Sequence, residues 1–422
     1  MREIQLAYGR ERIGFNFDED RFQILTSDKT NRPALTDFEI GNALDNPIAS
    51  DPLEKLLSAG GSVLIAASDA TRATASAQII NLLVRRIIQQ GIAPGDITIV
   101  IATGIHRATT PSEKQELLTS FITQRINVFD HDALDQTQLI HLGTTKRGTP
   151  IEVNRRLREF THVILTGGIG FHYFAGFTGG RKSICPGLAS ARTIAATHML
   201  ALDFENGGRR AGVGTGLLEG NAVNEECDRV AALIDPTFGI NAIVDDSGRA
   251  TQVFAGHWRE AHREACDSYL SEHSIGIAEK QALVIASCGG YPYDINLIQA
   301  HKALDMAANA CRDGGTIVLL AECSDGLGRS DFLKWFDSKD SATLEKRLRE
   351  SYEVNGQTAW ALLSKAEQYR VILVSQLEDE DVRRMRMKPA RSLDEAMSGL
   401  ASTTKGFIMP HGAALLPILS TT

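Results

Sequence analysis

This 422-residue chain could do chemistry chiefly through its histidines and one crowded, glycine-rich loop. The loop, FHYFAGFTGGRKSICPG, runs from Phe171 to Gly187 and holds His172 and Lys182. Glycine-rich loops ending in lysine commonly hold a phosphate, because backbone N–H groups and the ammonium converge on the anion. Gly176, Lys182 and Ser183 fit the phosphate-loop spacing, but Arg181 stands where that pattern requires glycine. The segment FHYFA also separates the loop from its strand, so a nucleotide triphosphatase is disfavoured. Two readings stay open: a looser cradle for one phosphate, built on Gly179, Gly180, Arg181 and Lys182, or a tight turn with solvated charges. GVGTGLLEG from Gly212 has Leu217 where a dinucleotide fingerprint needs its third glycine, and no strand precedes it. An ordinary NAD dehydrogenase does not fit.

His106 in ATGIHRAT and His172 in GIGFHYF each follow an apolar run by a few residues. Histidine is the usual acid or base at neutral pH, and two on opposite sides of a substrate would suit stereochemical inversion. A structural role for either also fits position alone. His198, in SARTIAATHML, falls on an expected helix and reads as a core histidine. No H-x-x-x-H or H-E-x-x-H accompanies it, so a zinc site of protein ligands alone lacks support. His131, His141, His257, His262 and His273 sit in polar surroundings and are expected to face solvent.

Those residues need a scaffold, and short β-branched runs alternating with helical patterns provide one. GSVLIAASD is followed by SAQIINLLVRRIIQQG, whose apolar residues recur at three and four before a glycine stop. DITIVIATG precedes TPSEKQELL, where Thr110 is the expected N-cap and Pro111 the first helical residue. THVILTGG then leads into the glycine loop, and this alternation predicts parallel βαβ units. After a polar helical stretch the pattern restarts with ALVIASCGG, NLIQAHKALDMAANAC, GGTIVLLAEC and YRVILVSQL. The expected architecture is α/β with two domains, each a mainly parallel sheet flanked by helices. We place them at 1–275, rejoined by 405–422, and at 276–404. Ligands of such sheets bind beyond the carboxyl ends of the strands. Asp69, Thr71, Arg72, His106, Arg107, His172, Lys182, Tyr291 and Asp294 all follow such ends, which predicts a site in the cleft between the domains.

Composition narrows the class. A net charge of −8 without a basic block argues against nucleic acid. The six cysteines, 185, 227, 266, 288, 311 and 323, show neither zinc spacing nor a disulfide framework, and point to a reducing cytosol. The first residues, MREIQLAYGRERIGF, lack a signal-peptide pattern, and no apolar run is long enough to span a membrane.

SDATR, GIHR, HYFAGFTGGRKSICPG, His198 and GYPYDINLIQAHKA, in that order, resemble the lactate racemase catalytic-component family over essentially the whole chain. The resemblance implies a cytoplasmic isomerase, a racemase or epimerase of a small 2-hydroxy acid. It also implies a nickel-pincer cofactor, nickel pyridinium-3-thioamide-5-thiocarboxylate mononucleotide. On it, Lys182 carries the cofactor covalently, His198 ligates nickel, and His106 and His172 are the acid and base. Arg72 and Lys302 hold the substrate carboxylate, Gln299 makes a polar contact, and Asp69 and Thr71 lie in the first cofactor-side loop. Gly179, Gly180 and Arg181 line the cofactor's phosphate, and Asp294 orients or caps the Lys302 helix. The implied chemistry is transient oxidation: one histidine takes the hydroxyl proton while hydride leaves C2 for the pyridinium ring. The 2-oxo acid turns its carbonyl, hydride returns to the other face, and the second histidine reprotonates the oxygen. Enzymes that build the cofactor are implied as transient partners. Ile298 stands where an aromatic is expected before the glutamine, which puts lactate itself in doubt as the substrate. Trp335 and Trp360, in the second domain, are expected to pack in the core, with a place in the pocket wall as the alternative. Three rivals remain: a non-catalytic carrier of the cofactor, a phosphate-binding enzyme without nickel, and a zinc hydrolase on His106, His172 and His198. The hydrolase lacks a carboxylate or cysteine at fitting spacing.

Overall fold

The structure, a computed structural model, describes residues 1–27 and 32–420. Two compact units divide them: one spans 32–201 and 209–271, the other 1–27, 202–208 and 272–420.

The first unit is built on a six-stranded sheet. Its strands lie in the order Ala250–Gly256, Phe238–Val244, His162–Gly168, Val63–Ser68, Ile97–Ala102, Asn127–Asp130. All neighbours pair in parallel except Ala250–Gly256, which closes one edge antiparallel to Phe238–Val244. The β-branched runs explain the strands: Val63, Leu64, Ile65, Ile99, Val100 and Ile101 are fully buried, as befits strands covered on both faces. Helix Ser76–Gln89 lays Ile79, Ile80, Leu83, Val84 and Ile87 against this core, matching its three-and-four spacing. Helix Pro111–Thr123 begins as expected. Thr110 accepts Glu113 N–H and the Glu113 side chain returns to Thr110 N–H, a capping box with Pro111 behind it. From Val63–Ser68 the chain builds strands to one side, then returns to the other with His162–Gly168. The strand order therefore switches direction between these two, where α/β sheets open a crevice at their carboxyl ends.

The second unit repeats the logic with six parallel strands. Their order is Lys388–Ala390, Arg370–Val374, Cys311–Leu320, Gln281–Ser287, Gly406–Met409, Phe22–Ile24. This corrects two expected boundaries. The final run does not return to the first unit, because Gly406–Met409 pairs with Gln281–Ser287, and Leu416–Leu419 pairs with Ser274–Ile277. The first residues also belong here. The hairpin Arg2–Tyr8 with Glu11–Phe17 buries Leu6, Phe15 and Phe17, together with Phe22, against Leu283, Ile285, Val318 and Leu320. These aromatics find their apolar partner on the second sheet, which overrides their place in the sequence. Trp335 and Trp360 are buried, as expected.

Candidate active site

In the first unit, three neighbouring strands deliver the expected residues at one edge of the sheet. Val63–Ser68 runs into Asp69, Thr71 and Arg72; Ile97–Ala102 leads to His106; His162–Gly168 leads to His172 and the glycine loop. Gly167 lets that loop lie on the strand end, since a Cβ there would stand 3.0 Å from Gly179 Cα. The His106 turn is tied to the far end of the same loop, Gly104 N–H donating to Gly187 O at 2.9 Å.

Asp69 is 4% exposed. One carboxylate oxygen lies 2.7 Å from His106 Nδ1; the other accepts Thr71 N–H at 3.0 Å and Thr71 Oγ1–H at 2.6 Å. Burial pushes the Asp69 carboxyl up, but the hydrogen bond and charge of His106, then Thr71 and Arg72, hold it below the usual range. The polar atoms of Asp69 and Thr71, expected on the cofactor side, are thus turned to His106 and to each other. His172 lies on a two-residue ladder with Gly176 and accepts Ala175 N–H on Nδ1 at 3.2 Å.

Phe174 gathers the other groups. Its ring centroid is 4.4 Å from that of His172 and 4.9 Å from that of His198, and Lys182 Nζ stands 5.8 Å from it. Lys182 sits in the turn Gly180–Ser183, where burial first, and then the positive charges of Arg72 and Arg181, drop its amine to about 7. His198 ends helix Ala191–Met199, which Ser190 caps, and is 7% exposed. Burial and the neighbouring Lys182 push it down to about 3, so it stays neutral. Its Nδ1 hydrogen points at Ile194 O, 2.7 Å away, which leaves the Nε2 lone pair to bind something else.

The expected phosphate cradle is largely spent on the protein itself. Gly180 N–H donates to Asn241 Oδ1 at 2.9 Å. Arg181, buried, donates to Ala175 O at 3.0 Å and to His262 Nε2 at 2.9 Å. It braces the loop from inside through its two terminal nitrogens, while its Nε is buried without a partner among the described residues. Gly179 keeps its left-handed backbone with φ 79°, and beside it Asn241 Nδ2 is buried without a partner among the described residues. His262 and His131 correct the expectation of exposure. His262 lies on helix Glu260–His273 beside buried Ala261, Ala265 and Cys266, and His131 donates Nε2–H to Ala189 O. The stripe at 261, 265 and 266 was the available signal for the first; nothing local marked Asn241.

Gln299 and Lys302 stand in the second unit on helix Leu297–Ala310, where Lys302 Nζ donates to Gln299 Oε1 at 2.6 Å. Asn296, not Asp294, caps that helix by accepting Gln299 N–H. Asp294 is fully buried and ties the start of the chain down, accepting Gly9 N–H at 2.7 Å and Glu322 N–H at 3.3 Å. All six cysteines are free and buried. Among the described residues, no three His, Cys, Asp or Glu side chains gather to hold a metal, and no helix is long and apolar enough to cross a membrane.

Two known domain signatures match the chain: the Lactate racemase N-terminal domain over residues 8–208 and the Lactate racemase C-terminal domain over 277–412. The lactate racemase of Thermoanaerobacterium thermosaccharolyticum is 31% identical over 429 residues, covering 99% of each chain. The chain belongs to the lactate racemase family. It is an enzyme of the isomerase class, a racemase. The lactate racemase of Lactiplantibacillus plantarum is likewise 31% identical, over 438 residues, covering 99% of this chain and 100% of that one. The lactate racemase apoprotein structure from T. thermosaccharolyticum superposes with a TM-score of 0.90, covering 99% of this chain and 100% of that one. A Thermotoga maritima protein at 18% identity and a TM-score of 0.67 shares the fold.

Proposed function

We propose that this racemase inverts C2 of a 2-hydroxy acid with a nickel-pincer nucleotide carried on Lys182. The observation that supports it most is that Lys182 and His198 flank one ring, Phe174, in a setting that disfavours charge on both. A tether needs an amine and a metal needs an imidazole lone pair, and these two residues fit both demands. Gly179 and the unpartnered Asn241 Nδ2 would face the nucleotide, and His198 Nε2 would ligate nickel. When bound, the group supplies a hydride acceptor and donor for C2. The side chains do the rest. His106 and His172 move the hydroxyl proton at the two faces of the substrate, and Arg72 gives its carboxylate a fixed charge. On helix Leu297–Ala310, Lys302 offers a further cation suited to a carboxylate and Gln299 a polar group, and Ile298, without a ring, suits a 2-hydroxy acid bulkier than lactate.

The test is direct. Holoprotein made in a host with the cofactor pathway is expected to turn single enantiomers of lactate, 2-hydroxybutyrate or phenyllactate into both, read by chiral chromatography. Its intact mass should carry an adduct on the Lys182 peptide, with nickel present. Inert, unmodified, metal-free protein from such a host would return Lys182 to a phosphate-loop lysine and overturn the reading.

A further inference from the structure

Asp69 carries a buried carboxylate for which the reaction above has no use. A carboxylate only accepts, so the hydrogen in its 2.7 Å contact sits on His106 Nδ1. A neutral imidazole has one N–H, which leaves His106 Nε2 bare and basic. His172 is set the other way. Its Nδ1 accepts a backbone hydrogen from Ala175 at 3.2 Å, so a neutral His172 carries its own hydrogen on Nε2.

We infer that the two histidines are held in opposite tautomers, and that Asp69 is the positioning residue that makes His106 the proton acceptor of the resting chain. His172 then begins as a hydrogen-bond donor. Resting on the racemase reading, the consequence is handed. The enantiomer whose hydroxyl faces His106 meets a ready base: the O–H bond breaks, Nε2–H forms, and the imidazolium lies against Asp69. The mirror enantiomer, facing His172, waits until Ala175 N–H lets go and the ring moves its hydrogen to Nδ1. Thr71 fixes the outcome further. Its N–H and O–H both point at Asp69 Oδ1, so in Asp69→Asn the amide oxygen belongs on that side and the NH₂ faces His106. The amide then donates to Nδ1 and forces the hydrogen to Nε2.

The experiment is ring-nitrogen NMR of the full-length chain labelled with ¹⁵N-histidine, at about pH 8.5, well above the ordinary imidazole value. Expected are a Nδ1–H form for His106 and a Nε2–H form for His172. In Asp69→Asn His106 switches to Nε2–H and His172 does not. In loaded enzyme the same substitution is expected to cut kcat roughly 10²- to 10⁴-fold with KM nearly unchanged, as wrong-tautomer variants do. His106 found with Nε2–H in the unmutated chain, or unswitched in the variant, overturns the proposal. Should the variant fail to fold, the unmutated spectrum still decides. Because that spectrum needs no turnover, a chain with the expected tautomers that racemises nothing would sink the functional reading and leave this one standing.

Discussion

Lys182 shows what a buried site does to one residue. Its amine falls from an ordinary 10.5 to about 7, first through burial and then through Arg72 and Arg181. In the cofactor-free chain its labelling by a small amine reagent is therefore expected to climb through pH 7, while exposed lysines respond only near their ordinary value of about 10.4. Peptide mass spectrometry reads the difference, and a Lys182 profile matching the surface lysines would refute the burial argument. The sign carries over to stability. Between 7 and 10.5 the unfolded chain binds a proton at this lysine that the folded chain refuses, so stability rises with pH across that window. Lys182→Met should remove that slope, read from denaturant midpoints along the window. At this scale the sequence was legible where placement is local: GGRKS put Lys182 in a tight turn and GIHR put His106 just past a strand, as the structure has them. The contact between Asp69 and His106, 37 residues apart, was not legible, and at His262 the apolar stripe of Ala261, Ala265 and Cys266 was outweighed by polar neighbours.

Elements decide whether such residues meet, and the βαβ alternation was plain because strands covered on both faces must be β-branched and apolar throughout. The Thr110 and Pro111 helix start was equally plain, since a cap is satisfied by residues three apart. The glycine loop's inner bracing was not, because it depends on a helix from elsewhere in the chain. That dependence can be tested. Gly180 has φ 52°, and a Cβ there would lie 2.5 Å from the His262 ring. Gly180→Ala combines a left-handed backbone with overpacking against a ring that Arg181 holds, a loss of about 2–4 kcal/mol by chemical denaturation. Adding His262→Ala should recover part of it by opening space. A double variant no better than the sum of the two singles would mean the ring is not what Gly180 yields to.

At the scale of the whole molecule, the order of strands along the chain misleads about which unit they join. MREIQLAYGRERIGF alternates correctly for strands, yet nothing in it says which sheet it serves, because its partners lie hundreds of residues on. Arg21 Nε donates to Thr404 O at 2.6 Å across a separation of 383 residues, and Phe22–Ile24 pairs with Gly406–Met409. Hydrophobic burial settles the matter instead. Phe15, Phe17 and Phe22 pack with ring centroids 6.0 to 6.5 Å apart, over Leu283, Ile285 and Val318. Truncating Phe17, which is 2% exposed, should cost about 3–5 kcal/mol as a cavity in the second unit's core. Hydrogen–deuterium exchange of Phe17→Ala is the measurement. Faster exchange is expected in Gln281–Ser287 and Cys311–Leu320, with Val63–Ser68 and Ile97–Ala102 unchanged, since local opening follows the core that was weakened. Protection lost from Val63–Ser68 instead would show that the first residues belong to the first sheet after all.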